Sequence, residues 1–414
     1  MYNVKFIFRG LIMILALIVV FQSCKKSDDV EPIYPDPVEY DRGDIAKVTS
    51  LGIYTLVEIE QIMDDAKADF PQMLNHSVEV LSVQYYTVDH QGNSILASGA
   101  LYIPQNRSAF PMMSLQHGTE TKRNRVASVN PENSIEGKIA LLTASIDYVT
   151  VVPDYPGFGV SNDMHPYLHE ASLVPSVIDF IIAGKQYCAN NDILLKDELF
   201  LSGYSEGGYV TLLTQKALEK DYDINITAVA PLSGPYDLKG TFGKILQDQS
   251  YSSPAYVAYF LTAYDEIYKW NKLENFFQEP YASKMEWLFN GSYSWGEVSS
   301  ALPETLEEMM DPDFFTHFPE FVESHNDEKS TGLAAALCEN TCLSWTPKAP
   351  LHFFHGDCDD IVFCLNAVNA VNAFKANGAS HVELTLIPGG NHETSGTKAL
   401  EGALEWFESF RPDQ

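Results

Sequence analysis

Gly203-Tyr204-Ser205-Glu206-Gly207-Gly208 follows the apolar run Leu199 to Leu201 and opens the helical pattern Val210 to Leu218. A serine on a tight turn between a strand and a helix must take a strained backbone, and the small Gly203 and Gly207 let neighbouring segments pass close enough to permit it. Its hydroxyl is then presented at a helix N-terminus, where free N–H groups and the helix dipole favour developing negative charge. A serine hydroxyl attacks only when a base takes its proton and a carboxylate holds that base in the right tautomer. Ser205 is therefore the candidate nucleophile, and its partners are sought downstream in the order acid, then histidine.

The acid comes from the strand Leu351 to Phe354, which runs into His355-Gly356-Asp357-Cys358-Asp359-Asp360-Ile361-Val362. Asp359 has the spacing of an H-G-x-x-D-x-x-V pattern, while Asp357 and Asp360 read as loop-capping and turn residues. Beyond it only His381 and His392 remain. His381 begins a strand, whereas His392 sits in Pro388-Gly389-Gly390-Asn391-His392, a flexible loop able to reach the sheet edge, and is the candidate base. Two donors are needed for the oxyanion: the N–H of Glu206, after the nucleophile, and that of Thr119 in Gln116-His117-Gly118-Thr119-Glu120.

Around these residues, Leu56, Ile59, Met63, Ala66 and Phe70 recur at spacings of three and four and mark an amphipathic helix over Thr55 to Phe70. Two β-rich runs, Val78 to Val88 and Ile95 to Ile103, flank a turn-forming His90-Gln91-Gly92-Asn93 and read as an antiparallel hairpin at a sheet edge. Short apolar strands then alternate with helical patterns: Phe110 to Leu115, Tyr148 to Val152, Leu199 to Leu201, Ile224 to Ala230, Leu351 to Phe354 and Val382 to Ile387. This texture indicates a parallel sheet covered on both faces. It breaks between Tyr236 and Trp345, where 21 of the chain's 50 aromatic residues fall in 110 positions. That stretch reads as an inserted helical region, either a second layer with its own core or a cap whose aromatic underside lines a substrate pocket.

The first 24 residues carry Lys5 and Arg9, then eleven apolar residues from Leu11 to Phe21, then Ser23 before Cys24. This is the pattern of a secretory signal, too short to cross a bilayer at roughly 20 residues per span. Ser23-Cys24 resembles the lipobox of bacterial lipoproteins, with Gln22 larger than the usual residue, so Cys24 is expected to be lipidated. The Asp-, Glu- and Pro-rich segment after it reads as an extended tether. Its Lys25-Lys26-Ser27-Asp28-Asp29 start resembles an export signal to the outer face of the outer membrane, so the expectation is an outer-membrane lipoprotein facing the periplasm or the surface, with plain secretion as the alternative. The domain expectation is a signal over 1–23, a disordered tether over 24–48, a core over 49–235 and 346–414, and a cap over 236–345.

With 56 acidic against 26 basic residues the formal charge is −30, and removing 1–23 with its two basic residues leaves 24 against 56, or −32. Such a surface repels a phosphate backbone, which argues against nucleic acid as a partner. Cys188, Cys338, Cys342, Cys358 and Cys364 remain after Cys24, an odd number; Cys338 with Cys342, or Cys358 with Cys364, would each close a small ring, and the sequence leaves the pairing open. His165 and His169 with Glu170, and the group His352, His355, Cys358 and Cys364, have spacings that suggest metal, but a helix start and an acid loop explain them better. No metal and no cofactor are expected.

With these motifs assembled, the chain resembles the α/β-hydrolase superfamily, and within it the secretory lipases and related bacterial esterases. Besides the elbow and the Asp359 and His392 loops, Gln116-His117-Gly118-Thr119, Asp154-Tyr155-Pro156-Gly157-Phe158-Gly159 and His165-Pro166-Tyr167-Leu168 carry the likeness, over about residues 75 to 410. Glu206 departs from the Gln frequent in relatives, placing a carboxyl beside the oxyanion site. The resemblance implies an α/β-hydrolase fold with a mostly parallel sheet and an inserted cap, and a serine ester hydrolase working through an acyl-enzyme, with Tyr155, Tyr204 and His117 as candidate substrate-contacting residues; His117 reads alternatively as a support of the Thr119 loop. Expected substrates are small-molecule or polymer-linked esters, such as a lipid or an ester substituent on a plant polysaccharide. Two rivals remain: a prolyl-oligopeptidase-type serine exopeptidase, although no blade repeat is present, and a non-catalytic binding lipoprotein on the same fold.

Overall fold

The computed structural model describes residues 42–66, 74–247, 251–323 and 332–411. The leader, Cys24 and most of the expected tether lie outside them. Nine strands form one sheet: β1 (Ile45–Tyr54), β2 (Val78–Val88), β3 (Ser94–Pro104), β4 (Phe110–Gln116), β5 (Val149–Pro153), β6 (Leu195–Tyr204), β7 (Ala228–Leu232), β8 (Leu351–Gly356) and β9 (Val382–Ile387). Their order is β1-β2-β3-β5-β4-β6-β7-β8-β9. The first three are antiparallel, β3 meets β5 antiparallel, and from β5 to β9 every neighbour is parallel.

Alternation of side chains along the strands feeds two layers of helices. On β4 and β6, Met112, Leu199 and Leu201 join the core under the helices Glu170–Asn190, Glu206–Asp221 and Leu365–Ala376, while Met113 and Phe200 face Ile135–Ser145 and Gly396–Glu408. These central strands are buried on both faces, which is why they carry unbroken apolar runs. The chain leaves β4 for β5 on one side and returns to β6 on the other. Loops after β4 and β6 therefore part at their C-terminal ends and open a crevice there.

Two sequence expectations change. The tether was expected to reach residue 48, yet Ile45 already pairs with Tyr85 and the ladder continues to Tyr54 opposite Val78. Arg42 precedes this strand and donates to both carboxylate oxygens of Asp179, at 3.0 and 3.1 Å. The hairpin β2-β3 is accordingly not at the edge, because β1 covers β2. The helix expected over 55–70 runs from Leu56 to Asp65, with Thr55 and Glu58 forming a reciprocal capping box; residues 67–70 lie outside the described set.

The insertion does not build a separate core. Its buried side chains belong to the same cluster as the sheet's helix layer. Tyr259 stacks on Tyr167 with ring centres 4.5 Å apart, and the Tyr264 hydroxyl donates to Leu168 O at 2.9 Å, so the long helix Pro254–Tyr268 is fastened to the loop after β5. Neither small cysteine ring is closed: Cys342, Cys358 and Cys364 are free thiols, as is Cys188. Burial pushes the Cys342 thiol well above its ordinary value, consistent with a packed apolar role.

Candidate active site

β6 ends at Tyr204 and the helix Glu206–Asp221 begins two residues later, so Ser205 carries the whole turn. Its backbone stands at φ 59°, ψ −120°, a conformation that L-residues adopt only when the surroundings enforce it. The enforcement is visible at the two glycines. A Cβ on Gly207 would lie 2.1 Å from Gln116 O, and one on Gly203 would lie 2.6 Å from Gln116 O and Gly207 O. Backbone from β4 occupies the space that any side chain would need, so β4, the turn and the helix start form one close-packed unit.

Ser205 Oγ lies 2.9 Å from His392 Nε2, and His392 Nδ1 lies 2.8 Å from Asp359 Oδ2. The serine, the imidazole and the carboxylate come from three loops at the parallel strands' C-terminal ends, after β6, β9 and β8. Asp359 Oδ1 accepts the N–H groups of Ile361 and Val362 at 3.1 and 2.8 Å, which explains the residue's spacing within its motif. Burial favours the neutral acid, but the neighbouring His355 and His392, at 3.4 and 2.8 Å from Oδ2, favour the ionised form, outweigh it and lower the carboxyl to about 2. The competing Asp357 is turned away, accepting the Gly389 N–H at 2.6 Å. A permanently ionised acid, an imidazole fixed at Nδ1 and a hydroxyl at Nε2 form a geometry able to generate an alkoxide nucleophile.

Across the crevice, Gly118 packs close to the nucleophile, its virtual Cβ 3.2 Å from Tyr204 O and 4.0 Å from Ser205 Cβ. Among the described residues, the N–H groups of Thr119 and Glu206 have no acceptor. The Gly118 N–H is already committed to Glu136 Oε1 at 2.7 Å, and Thr119 Oγ1 is paired with the Tyr167 hydroxyl at 2.9 Å. These contacts orient the loop after β4.

Tyr155 and Tyr204 stand elsewhere than expected of substrate contacts, and His117 takes its alternative place as a support of the loop after β4. Tyr155 is fully buried, stacks on His117 with centres 4.0 Å apart and donates its hydroxyl to His117 O at 3.2 Å. His117 is itself buried, with Nδ1 2.7 Å from Gly118 O and Nε2 2.8 Å from Asp154 O. Burial lowers its proton affinity, yet Glu136 and the two carbonyls raise it above the ordinary histidine value. Tyr204 donates its hydroxyl to His392 O at 2.5 Å. All three brace the site from behind, and none lines the cavity in front of Ser205.

That cavity has an almost wholly apolar wall. Leu238, Phe242, Tyr256, Val257 and Phe260 from the insertion face Tyr167 and Ile361 from the core, and Ser205 lies on its surface. One face of the insertion thus lines a pocket, while its other buried side chains join the common core and form none of their own. The motif His165-Pro166-Tyr167-Leu168 contributes through Tyr167 and Leu168 and not through its histidine. His165 and His169 turn to different partners, Glu206 Oε1 at 2.7 Å and Ser172 Oγ at 2.8 Å. Among the described residues no group of three or more His, Cys, Asp and Glu side chains is placed to hold a metal ion.

No protein-family model matches the sequence, and no curated protein is found similar to it. Solved structures do match. A presumed hydrolase from Legionella pneumophila is 25% identical, with TM-score 0.81 over 89% of this chain and 99% of that one. The rice cell wall degrading esterase LipA from Xanthomonas oryzae is 28% identical, with TM-score 0.75 over 89% of this chain and 96% of that one. Candida antarctica lipase A in its closed state is 16% identical, with TM-score 0.67 over 93% and 88%, a likeness of fold alone. The architecture is that of the α/β-hydrolases, shared with esterases and lipases, and the neighbours support a hydrolase.

Proposed function

We propose that the protein is a serine carboxylic-ester hydrolase whose acyl group enters the apolar cavity in front of Ser205. The observation that carries the proposal is the continuous hydrogen-bonded line from Ser205 Oγ through His392 to Asp359, opening on that cavity. Ser205 Oγ attacks the ester carbonyl as His392 Nε2 takes its proton, and the tetrahedral oxyanion is met by the N–H groups of Glu206 and Thr119. His392 then protonates the departing alkoxide, and a water activated by the same imidazole hydrolyses the acyl-enzyme. No metal or cofactor has a step in this scheme. The cavity's apolar wall, with Ser205 on its surface, suits the acyl chain of an ester. Lipidation at Cys24 would hold the enzyme on an outer-membrane surface, with its acidic body turned toward neutral or apolar substrates.

The test is turnover of p-nitrophenyl esters of two, four, eight and sixteen carbons, beside an aminoacyl-proline anilide, by the purified protein and by Ser205→Ala. Ester cleavage peaking at four to eight carbons and abolished by Ser205→Ala supports the proposal. Cleavage of the anilide alone would transfer the site to peptide chemistry, and failure of a fluorophosphonate to label Ser205 would overturn nucleophilic catalysis altogether.

A further inference from the structure

Beside the nucleophile the structure buries a carboxyl group that the ester-cleavage scheme neither uses nor tolerates easily. Glu206 is 1% exposed, and while its Oε1 lies 2.7 Å from His165 Nε2, its Oε2 has no hydrogen-bond partner among the described residues. The backbone N–H of this same residue is the one offered to the oxyanion. A full negative charge here, away from water, would oppose the charge that the tetrahedral intermediate develops.

The contacts of His165 fix the hydrogen count of the pair. Its Nδ1 lies 2.9 Å from Pro156 O, and a carbonyl oxygen only accepts, so Nδ1 carries a hydrogen. The 2.7 Å contact between Nε2 and Glu206 Oε1 needs a second hydrogen, whichever of the two atoms holds it. An imidazole and a carboxyl that share two such hydrogens carry no net charge. The ring has no freedom to leave this arrangement. Phe158 stands against it at 4.5 Å between centres, with Tyr155, Tyr259 and Tyr167 at 5.9, 6.0 and 6.2 Å. His117 stands at 6.5 Å from the ring, and Tyr256 is a further titratable side chain near Glu206.

We propose that His165 is a positioning residue for the ester-hydrolase reaction: it locks Glu206 into a buried, charge-neutral pair, so that the residue donating an N–H to the oxyanion brings no negative charge with it. The pair also ties the loop after β5 to the first turn of the nucleophile's helix across 41 residues of sequence. It gives a carboxyl at this position the electrostatic character of an amide. The inference rests on the ester-hydrolase reading of Ser205.

The experiment compares wild type, His165→Phe, His165→Gln and the double variant His165→Phe/Glu206→Gln on p-nitrophenyl butyrate. In His165→Phe, kcat should fall about 100-fold, the scale of lost oxyanion stabilisation, with KM little changed. Affinity for a trifluoromethyl ketone, which forms an oxyanion adduct with Ser205, should fall in parallel. The double variant, which removes the carboxyl, should recover at least tenfold in kcat over His165→Phe. His165→Gln keeps one N–H for Oε1 but not the second hydrogen of the pair, so its kcat should stay at least tenfold below wild type with KM little changed. No recovery in the double variant, or a wild-type kcat in His165→Gln, overturns the inference and leaves His165 a packing residue. Wild-type turnover lost in Ser205→Ala is scored separately, so failure of the ester reading is distinguishable from failure of the pair.

Discussion

Asp359 Oδ2 and His392 Nδ1 meet at 2.8 Å across 33 residues of sequence, and the same oxygen stands 3.4 Å from His355 Nε2. The carboxylate is buried, so its charge depends on these partners and on the two backbone N–H groups at Oδ1. Replacing it by Asn keeps the shape but presents an amide to His392, which favours the wrong tautomer for accepting the Ser205 proton. Asp359→Asn should lower kcat on the order of 10⁴-fold with the fold retained. Steady-state kinetics beside a circular dichroism melt decide it, and a loss under tenfold would show that His392 is oriented by something else.

The same residue makes a stability prediction with a definite sign. Its carboxyl falls from 3.8 to about 2 on folding, because the neighbouring His355 and His392 outweigh burial. A depressed value contributes stability that is fully present above the unfolded-state value and is lost as pH drops through the folded one. The shift corresponds to about 2 kcal/mol. The unfolding free energy of wild type minus that of Asp359→Asn should therefore shrink by about this amount between about pH 5 and pH 2. A difference that stays constant over that range would place the carboxylate outside the ionised network.

Gly207 tests the close packing that holds Ser205 at positive φ. An added Cβ would lie 2.1 Å from Gln116 O, a backbone atom of a central strand that cannot swing aside. Gly207→Ala should cost about 1–3 kcal/mol as an overpacking substitution and displace the nucleophile, so kcat falls with the denaturation midpoint. Gly243, on a helix of the insertion, has nothing within 4 Å of its virtual Cβ, and Gly243→Ala should leave kcat unchanged and raise the midpoint slightly, by about 0.5–1 kcal/mol. Equal behaviour of the two variants would refute the strand–turn argument.

The chemistry-bearing order Ser205, Asp359, His392 was legible because each residue sits in a loop whose punctuation by Gly and Asp is local. Side-chain direction was not. Tyr155, Tyr204 and His117 were read as substrate contacts from their motifs, but positive φ at Tyr155 and the stacking on His117 turn both rings behind the oxyanion loop. The pairing of His165 with Glu206 joins two separate motifs, and nothing local to either announces it. Strand β1 escaped for another reason. Its residues alternate little and stay largely exposed, so the backbone ladder to β2, rather than an apolar pattern, creates it.

The cavity offers the most direct check on substrate size. On the helix Pro254–Tyr268, Val257 and Phe260 are one turn apart and line the pocket with Tyr256, while Tyr259 and Tyr264 point into the packing against Tyr167 and Leu168. Enlarging Val257 therefore takes volume from the pocket without touching the Ser205, His392 and Asp359 line. Val257→Phe should reduce kcat/KM for the eight-carbon ester at least tenfold, within the roughly 10–200-fold that small steric changes produce in apolar pockets. The two-carbon ester, whose acyl group does not extend past the mouth, should change less than threefold. If both esters fall together with an unchanged melting temperature, the acyl chain does not occupy this cavity, and the apolar wall serves the alcohol side of the substrate.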